Sequence, residues 1–516
     1  MLSRIYSAAV QGIDAFLVEA EVDSGRGIPS FNIVGLPDAA VKESRDRVKA
    51  AILNSGLDFP ANIRFTANLA PADVRKEGPA FDLPIALGVL SALGQVPVER
   101  IQQCVFSGEL SLDGAIRSVR GVLPMAVCAR NAGMSSLVVP EANVSEAAVV
   151  EGLEVRAFAT LRAVVDWLNG DTEKAPYQVD LGTLFTQASR YPVDFADIKG
   201  QAHVKRALEV AAAGGHNSLM MGPPGSGKTM LARSLPTILP ELTLDEAIEC
   251  TKIYSVAGML GASQSLVATR SFRSPHHTIS PAGLIGGGSN PRPGEVSMAH
   301  LGVLFLDELP EFGRTVLEVL RQPLEDGQVT ISRAAGTLTY PARCVLAAAM
   351  NPCPCGHLGD TRKPCICSEM QVAQYMSRLS GPLLDRIDLH IEVPALPYDE
   401  LAGNAKAESS EAIRTRVNAA RGRQLKRLRA FGSPAYCNAQ MGPKEMREHC
   451  ALDEAGHQTL RLAVERLGLS ARAHDRILKV ARTVADLASS ENIQVVHLSE
   501  AIQYRGLDRR AMVGAA

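Results

Sequence analysis

Residues 216–235 read HNSLMMGPPGSGKTMLARSL, and this stretch decides the fold. Within it Gly222, Pro223, Pro224, Gly225, Ser226, Gly227, Lys228 and Thr229 form the pattern G-x-x-x-x-G-K-[ST]. The apolar residues 218–221 predict a short strand, and the residues from Thr229 onward predict a helix. A loop of this composition between strand and helix lets backbone N–H groups converge on phosphate oxygens at a helix N-terminus. Lys228 would reach the β and γ phosphates of ATP, and the Thr229 hydroxyl would ligate Mg²⁺. A chance glycine-rich turn would not require those flanks.

Working outward, residues 303–308 read VLFLDE, an apolar run ending in two acids. Such a run predicts a buried parallel strand whose C-terminal end meets a ligand crevice. Asp307 would hold Mg²⁺ through water, and Glu308 would polarise the attacking water. Asn351 ends another apolar strand candidate (CVLAAAMN, residues 344–351) and could position that water, or simply turn the chain before Pro352. Arg386 follows a short helix in GPLLDRID (residues 381–388). It suits either an arginine acting on a neighbouring subunit's phosphates or a salt bridge with Asp385 or Asp388.

The chain of 516 residues carries 53 Lys plus Arg against 55 Asp plus Glu, a net charge of −2. At about 150 residues per domain the length predicts three or four domains. A chain that is 46% hydrophobic and 21% charged is ordinary globular material, which excludes collagen, wholesale disorder and a disulfide-dense scaffold. Near-zero net charge excludes a globally basic nucleic-acid binder and leaves only local clusters. The N-terminus has Arg4 but is interrupted by Asp14 and Glu19, so it does not read as a secretory signal. The longest apolar run, residues 83–98, is broken by Pro84, Gly88, Gly94 and Gln95 and is too short to span a bilayer. The expectation is a cytoplasmic protein with no membrane partner.

Residues 1–170 alternate strand and helix signals and predict an α/β or α+β domain. The N-terminal 23 residues alternate like a strand pair, FNIVGLP and SLVVP read as strands, and residues 38–55 read as a helix capped by Asp38. Residues 171–190 read as a linker. Residues 191–395 hold the nucleotide motifs. Residues 396–516 are helical in pattern, with breaks at Gly432-Ser433-Pro434 and Met441-Gly442-Pro443.

GPPGSGKT, VLFLDE, AAAMNP and LLDRID, in that order, resemble the AAA+ ATPases, and DFADIKGQAHVKRAL (residues 194–208) is similar to their opening helix. Residues 270–300 and the hairpin-like residues 327–343 resemble the helix-2 insert and pre-sensor hairpin of the branch that holds the MCM helicases and the magnesium chelatase ATPase subunit. Over its whole length, through FNIVGLPDAAVKESRDRV, KEGPAFDLPIALG and GLSARAHDRILKVARTVADL, the chain resembles the ComM/YifB family. That resemblance implies an α/β AAA+ P-loop core with a helical lid. The activity it implies is that of a hexameric ATP-dependent DNA helicase, promoting branch migration as incoming DNA is integrated in natural transformation, with recombination proteins as further partners. Carried over residue by residue, Lys228 and Thr229 match the P-loop, Asp307 and Glu308 the second acidic motif, Asn351 the first sensor and Arg386 the finger. Arg472 best matches the second sensor of the lid, with Arg476 as competitor.

The N-terminal region resembles the proteolytic (ribosomal S5 domain 2-like) domain of Lon proteases. Ala80 stands where that family has its nucleophilic serine, and Leu123 where it has its lysine. A Ser–Lys dyad needs a hydroxyl and an amine within hydrogen-bond reach, so the domain is expected to be proteolytically inert.

Cys353, Cys355, Cys365 and Cys367 form two C-x-C pairs nine residues apart, four of the ten cysteines. Such pairs can wrap a structural Zn²⁺, with His357 as a substitute ligand; free or redox-labile thiols are the other reading. For DNA, Arg333 stands at the expected hairpin tip, and Arg270, Arg273, His276, His277 and the glycines 286–288 stand in the helix-2 insert. Residues 411–430 hold six arginines and one lysine against one acid, either a solvated helix face or a DNA-facing patch. An aromatic content of 4% favours backbone tracking over base stacking. A chelatase motor subunit remains the other motor reading, although the D-x-S-x-S metal string of its usual partner is absent from this chain. A non-motor binding module or an ATP-dependent protease is more distant.

Overall fold

Alternation at the N-terminus produces the expected hairpin. Strand β1 (Leu2–Gln11) runs antiparallel to β2 (Asp14–Arg26), with Leu2 opposite Asp23 and Gln11 opposite Asp14. The structure is a computed structural model of the chain and describes residues 1–180, 182, 191–261, 264–288, 291–333, 336–360, 363–396, 400 and 407–506. About half of the linker at 171–190, namely 181 and 183–190, therefore lies outside the described residues.

Two units emerge. The first contains residues 1–189 and 244–268. Its sheet adds β3 (Ser30–Val34), β4 (Ile63–Ala70), β5 (Cys104–Phe106), β6 (Ser136–Pro140) and β7 (Glu154–Phe158) in the order β3-β4-β2-β1-β5-β6-β7. The pairs β1–β2 and β2–β4 are antiparallel and the others parallel, so the unit is a mixed α+β layer. The helix Ala39–Asn54 begins at Asp38, whose carboxylate accepts from the Val41 N–H at 2.8 Å. The apolar run that could not span a membrane forms the wholly buried helix Asp82–Ala92. No helix among the described residues is long and apolar enough to cross a membrane.

Residues 244–268 were expected in the nucleotide core but belong to this first unit. Their helix, Leu244–Ala257, packs against the helix Val122–Asn131. The Gly121 N–H donates to the Ser255 carbonyl at 3.2 Å, and Lys252 pairs with Asp14 at 2.8 Å. An amphipathic pattern says that a helix buries one face; it does not say against what.

The second unit contains residues 190–243 and 269–516. Its five strands are β8 (Ser218–Met221), β9 (Phe272–Arg273), β10 (Val303–Leu306), β13 (Val345–Met350) and β14 (Leu389–Glu392). An antiparallel hairpin, β11 (Gln328–Arg333) with β12 (Gly336–Pro341), precedes β13. The sheet is parallel throughout, in the order β9-β10-β13-β8-β14. Burial on both faces explains the unbroken apolar runs VLFL and VLAAAM. The order matters for chemistry, because β13 lies between the phosphate-loop strand and the acidic strand. Helices Ser410–Ala430, Glu454–Leu467, Ala471–Leu487 and Val495–Gln503 form the lid and share one apolar core with the sheet.

Candidate functional site

The phosphate loop joins β8 to the helix Lys228–Ile238. Gly222 cannot be replaced, because a Cβ there would stand 2.0 Å from the Val393 carbonyl oxygen. Lys228 Nζ donates to the carbonyls of Gly222 and Pro223 at 2.8 and 2.9 Å and to Asn351 Oδ1 at 3.2 Å. Burial lowers its pKa, and Asp307 and Glu308 partly restore it. Thr229 Oγ1 donates to Asp307 Oδ2 at 2.8 Å. The structure thus brings together five of the expected residues from three adjacent strands: Lys228, Thr229, Asp307, Glu308 and Asn351. Ser226 Oγ is buried with no partner among the described residues, as suits a loop built to take an oxyanion ligand. The donor set fits Mg-ATP: a convergent loop, an ammonium, and a hydroxyl beside a carboxylate.

Glu308 sits in the left-handed region at φ 52°, a strained setting for a non-glycine residue of the kind found at functional sites. His277 Nδ1 lies 3.7 Å from Glu308 Oε2. The sequence placed His277 among candidate DNA contacts and gave no sign that it faces the acid pair 31 positions later.

Arg386 is nearly buried, and its guanidinium meets Glu325 at 2.6 Å and the Pro382 carbonyl at 2.6 Å. Among the described residues Arg386 pairs with neither Asp385 nor Asp388, the acids expected from the sequence. Asp388 instead closes a buried cluster with Arg476 at 2.9 Å and with His216 Nδ1 at 3.1 Å. Burial opposes that charge, yet the neighbouring Arg476 and His216 hold the Asp388 carboxyl well below the usual carboxylate range. Arg476 is therefore tied into the fold, whereas Arg472 keeps its side chain 61% exposed with only a 3.9 Å approach to Asp385.

The two insertions meet. The hairpin pairs Arg333 with Gly336, and the turn residues 334 and 335 lie outside the described residues. Gly286–Gly287 of the helix-2 insert pairs with Arg292–Pro293 in a small ribbon. A Cβ built on Gly287 would lie 3.7 Å from Arg333 Nη2, and Tyr340 Oη donates to the Pro291 carbonyl at 2.8 Å.

Arg333 is exposed, whereas Arg270 and Arg273 are half-buried. Arg270 donates to the carbonyls of Pro240, Leu301 and Glu241 at 2.6, 2.8 and 3.1 Å. Arg273 makes a two-pronged pair with Glu295 at 2.6 and 2.7 Å. Both guanidiniums are engaged within the fold. The basic stretch 411–430 behaves similarly: Arg416 binds Glu209 and Glu408, Arg421 the carbonyls of Ala212 and Ala213, and Arg427 holds Asp486. Lys426 and Arg429 of the same stretch are exposed.

The four clustered cysteines converge. The Cys353 and Cys355 sulfurs are 3.4 Å apart, each lies 3.6 Å from Cys365 Sγ, and all four sulfurs fall within 4.8 Å of one another. N–H groups of His357 and Ile366 hold the Cys355 thiol down to about 6. His357 is not among the converging groups; its Nδ1 pairs with Asp360 at 3.2 Å. In the first unit, Ala80 and Leu123 are both buried hydrophobics. Ser44 donates to Asp82, and Lys76 Nζ donates to the carbonyls of Pro71 and Val74, so hydroxyl and amine are engaged apart.

Three family models described as magnesium chelatase, subunit ChlI, cover residues 194–401, 18–143 and, for its C-terminal part, 407–505. The chain is 45% identical to the competence protein ComM of Haemophilus influenzae over 98% of both chains, and 42% identical to YifB of Escherichia coli over 98% of both. A weaker likeness, 24% identity over 32% of each chain, links it to Lon protease 2 of Bacillus subtilis. With a parallel P-loop sheet, a helical lid and a Lon-like α+β unit lacking the dyad, the chain belongs to the ComM/YifB family of magnesium-chelatase-like AAA+ proteins.

Proposed function

We propose that the chain is an ATP hydrolase working as a ring-forming DNA motor, which drives branch migration when incoming DNA is integrated during natural transformation. The observation that carries this reading is the paired closure across three strands, Lys228 to Asn351 and Thr229 to Asp307. The name of the Haemophilus relative, a competence protein, supports the biological setting.

Bound Mg-ATP supplies the phosphoryl group whose transfer to water releases the energy. Lys228 and the loop N–H groups neutralise and orient phosphate oxygens. Thr229 and Asp307 offer oxygens to the metal side. Glu308 takes the proton of the attacking water, and Asn351 holds that water in line. Arg386 serves a neighbouring subunit once its Glu325 pair opens, and Arg472 reports from the lid. Exposed Arg333, repeated around a ring, neutralises DNA phosphates without reading sequence.

The test is unwinding of three- and four-way DNA junctions by wild type and Lys228→Ala. ATP-dependent unwinding lost in the variant supports the motor; no binding to branched DNA sinks it. The match to chelatase-subunit models favours a second reading, a motor for metal insertion into a porphyrin. Chelatase activity with a partner subunit, in the absence of DNA binding, would select that reading.

A further inference from the structure

We propose that Cys353, Cys355, Cys365 and Cys367 hold one Zn²⁺ as a tetrathiolate, and that this zinc knuckle is the wall that keeps the phosphate loop in its nucleotide-binding shape. The proposal rests on the nucleotide reading above for its second half only. A zinc ion about 2.3 Å from four sulfurs sets those sulfurs about 3.8 Å apart. The recorded separations of 3.4 and 3.6 Å, with all four sulfurs inside 4.8 Å, match that cage, and all four cysteines are free thiols rather than disulfides. Four soft sulfur donors with no free coordination position make a closed structural site rather than a catalytic one.

The knuckle is fastened to the nucleotide site at three points. It starts two residues after Asn351, whose side chain receives Lys228, and Cys353 is fully buried there. It ends at Ser368, which caps the helix Glu369–Met376, and the Tyr375 hydroxyl oxygen of that helix accepts from the Asn351 backbone N–H. Between these ends Gly356, next to Cys355, presses on the phosphate loop. A Cβ on Gly356 would lie 2.6 Å from Pro224 Cδ and 3.9 Å from Asn351 Cγ, and its φ of +83° already favours glycine. A metal-closed turn in that place leaves Pro224, and the N–H groups that follow it, no room to relax outward. Without the metal, a turn held only by its backbone would release the loop.

Full-length protein purified from zinc-supplemented cells without chelator is assayed for metal by mass spectrometry and for binding of a fluorescent ATP analogue. Wild type should hold one zinc per chain. Cys355→Ser with Cys367→Ser should lose it and bind the analogue about tenfold more weakly, the cost of one misplaced phosphate hydrogen bond. Gly356→Ala should keep its zinc and show a similar loss. If the double variant does not fold, a thiol-reactive mercurial can eject the metal from wild type by capping the four sulfurs; excess dithiothreitol then removes the mercury, and zinc added afterwards should restore affinity. Absence of zinc, or iron in its place, overturns the site. Unchanged affinity after metal loss overturns the coupling. Wild type that holds zinc but binds the analogue no better than Lys228→Ala defeats the nucleotide reading instead.

Discussion

Arg476 reaches Asp388 at 2.9 Å and fixes a carboxylate whose side chain is only 1% exposed, while Arg472, one turn earlier on the same helix, keeps 61% of its side chain in solvent. The contrast makes Arg476 part of the packed structure and leaves Arg472 as the proposed sensor. Arg476→Ala should destabilise the protein by about 3–5 kcal/mol, as expected when one partner of a buried ion pair is removed. Arg472→Ala should leave the denaturation midpoint within about 0.5 kcal/mol of wild type and depress ATP turnover. Denaturant melts and steady-state ATPase rates measured side by side check this; the reverse pattern would assign the sensor to Arg476.

Glu308 and Lys228 should fail differently. Glu308→Gln keeps the loop, the ammonium and the Thr229–Asp307 contact, so ATP binding should persist while turnover falls about a hundredfold or more, within the range for a lost general base. Lys228→Ala should lose binding itself. Equilibrium binding and single-turnover hydrolysis separate the two, and unchanged turnover in Glu308→Gln would remove Glu308 from the mechanism.

For DNA, Arg333 and Arg270 make an informative contrast. Arg333→Ala should weaken DNA binding for every sequence alike and reduce the salt slope by about one per bound subunit. Arg270→Ala instead strands three carbonyls and should cost about 2 kcal/mol or more in stability, with no change of salt slope. Salt titrations of both variants on one duplex provide the measurement.

Stability should fall on the acid side through His390. Burial, with Arg505 adding to it, pushes this imidazole down to about 3, so the native ring is neutral. The unfolded chain protonates near pH 6.5 and therefore binds more protons below that value. The stabilising contribution is complete above about pH 6.5 and is lost as pH falls toward 3, by about 2 kcal/mol at pH 5. His390→Leu should lose less stability between pH 7 and pH 5 than wild type does. Parallel slopes for the two proteins would assign the acid sensitivity to other groups.

The nucleotide site was legible because its information is local. Residues 222–229, 303–308 and 351 each carry their chemistry in a few consecutive positions, and the alternation of apolar strands and helices implies a parallel sheet. What sequence did not reveal are partnerships across distance. Arg273 looks like any exposed arginine until Glu295 folds against it, and Arg416 looks like part of a basic stripe until Glu209 and Glu408 appear. His277 shows the same limit in the other direction, since a residue beside the acid pair looked like part of a surface loop.

The helix Leu244–Ala257 has one more consequence. The chain passes between its two units at 189/190, at 243/244 and again at 268/269, so the first unit is closed by a piece encoded inside the second. No single cut in the gene yields either unit whole. A fragment beginning at 190 carries an orphan helix, and a fragment ending at 189 lacks one. Separating the two units in a shorter protein would take two cuts and a rejoining, because neither unit is one continuous stretch of chain.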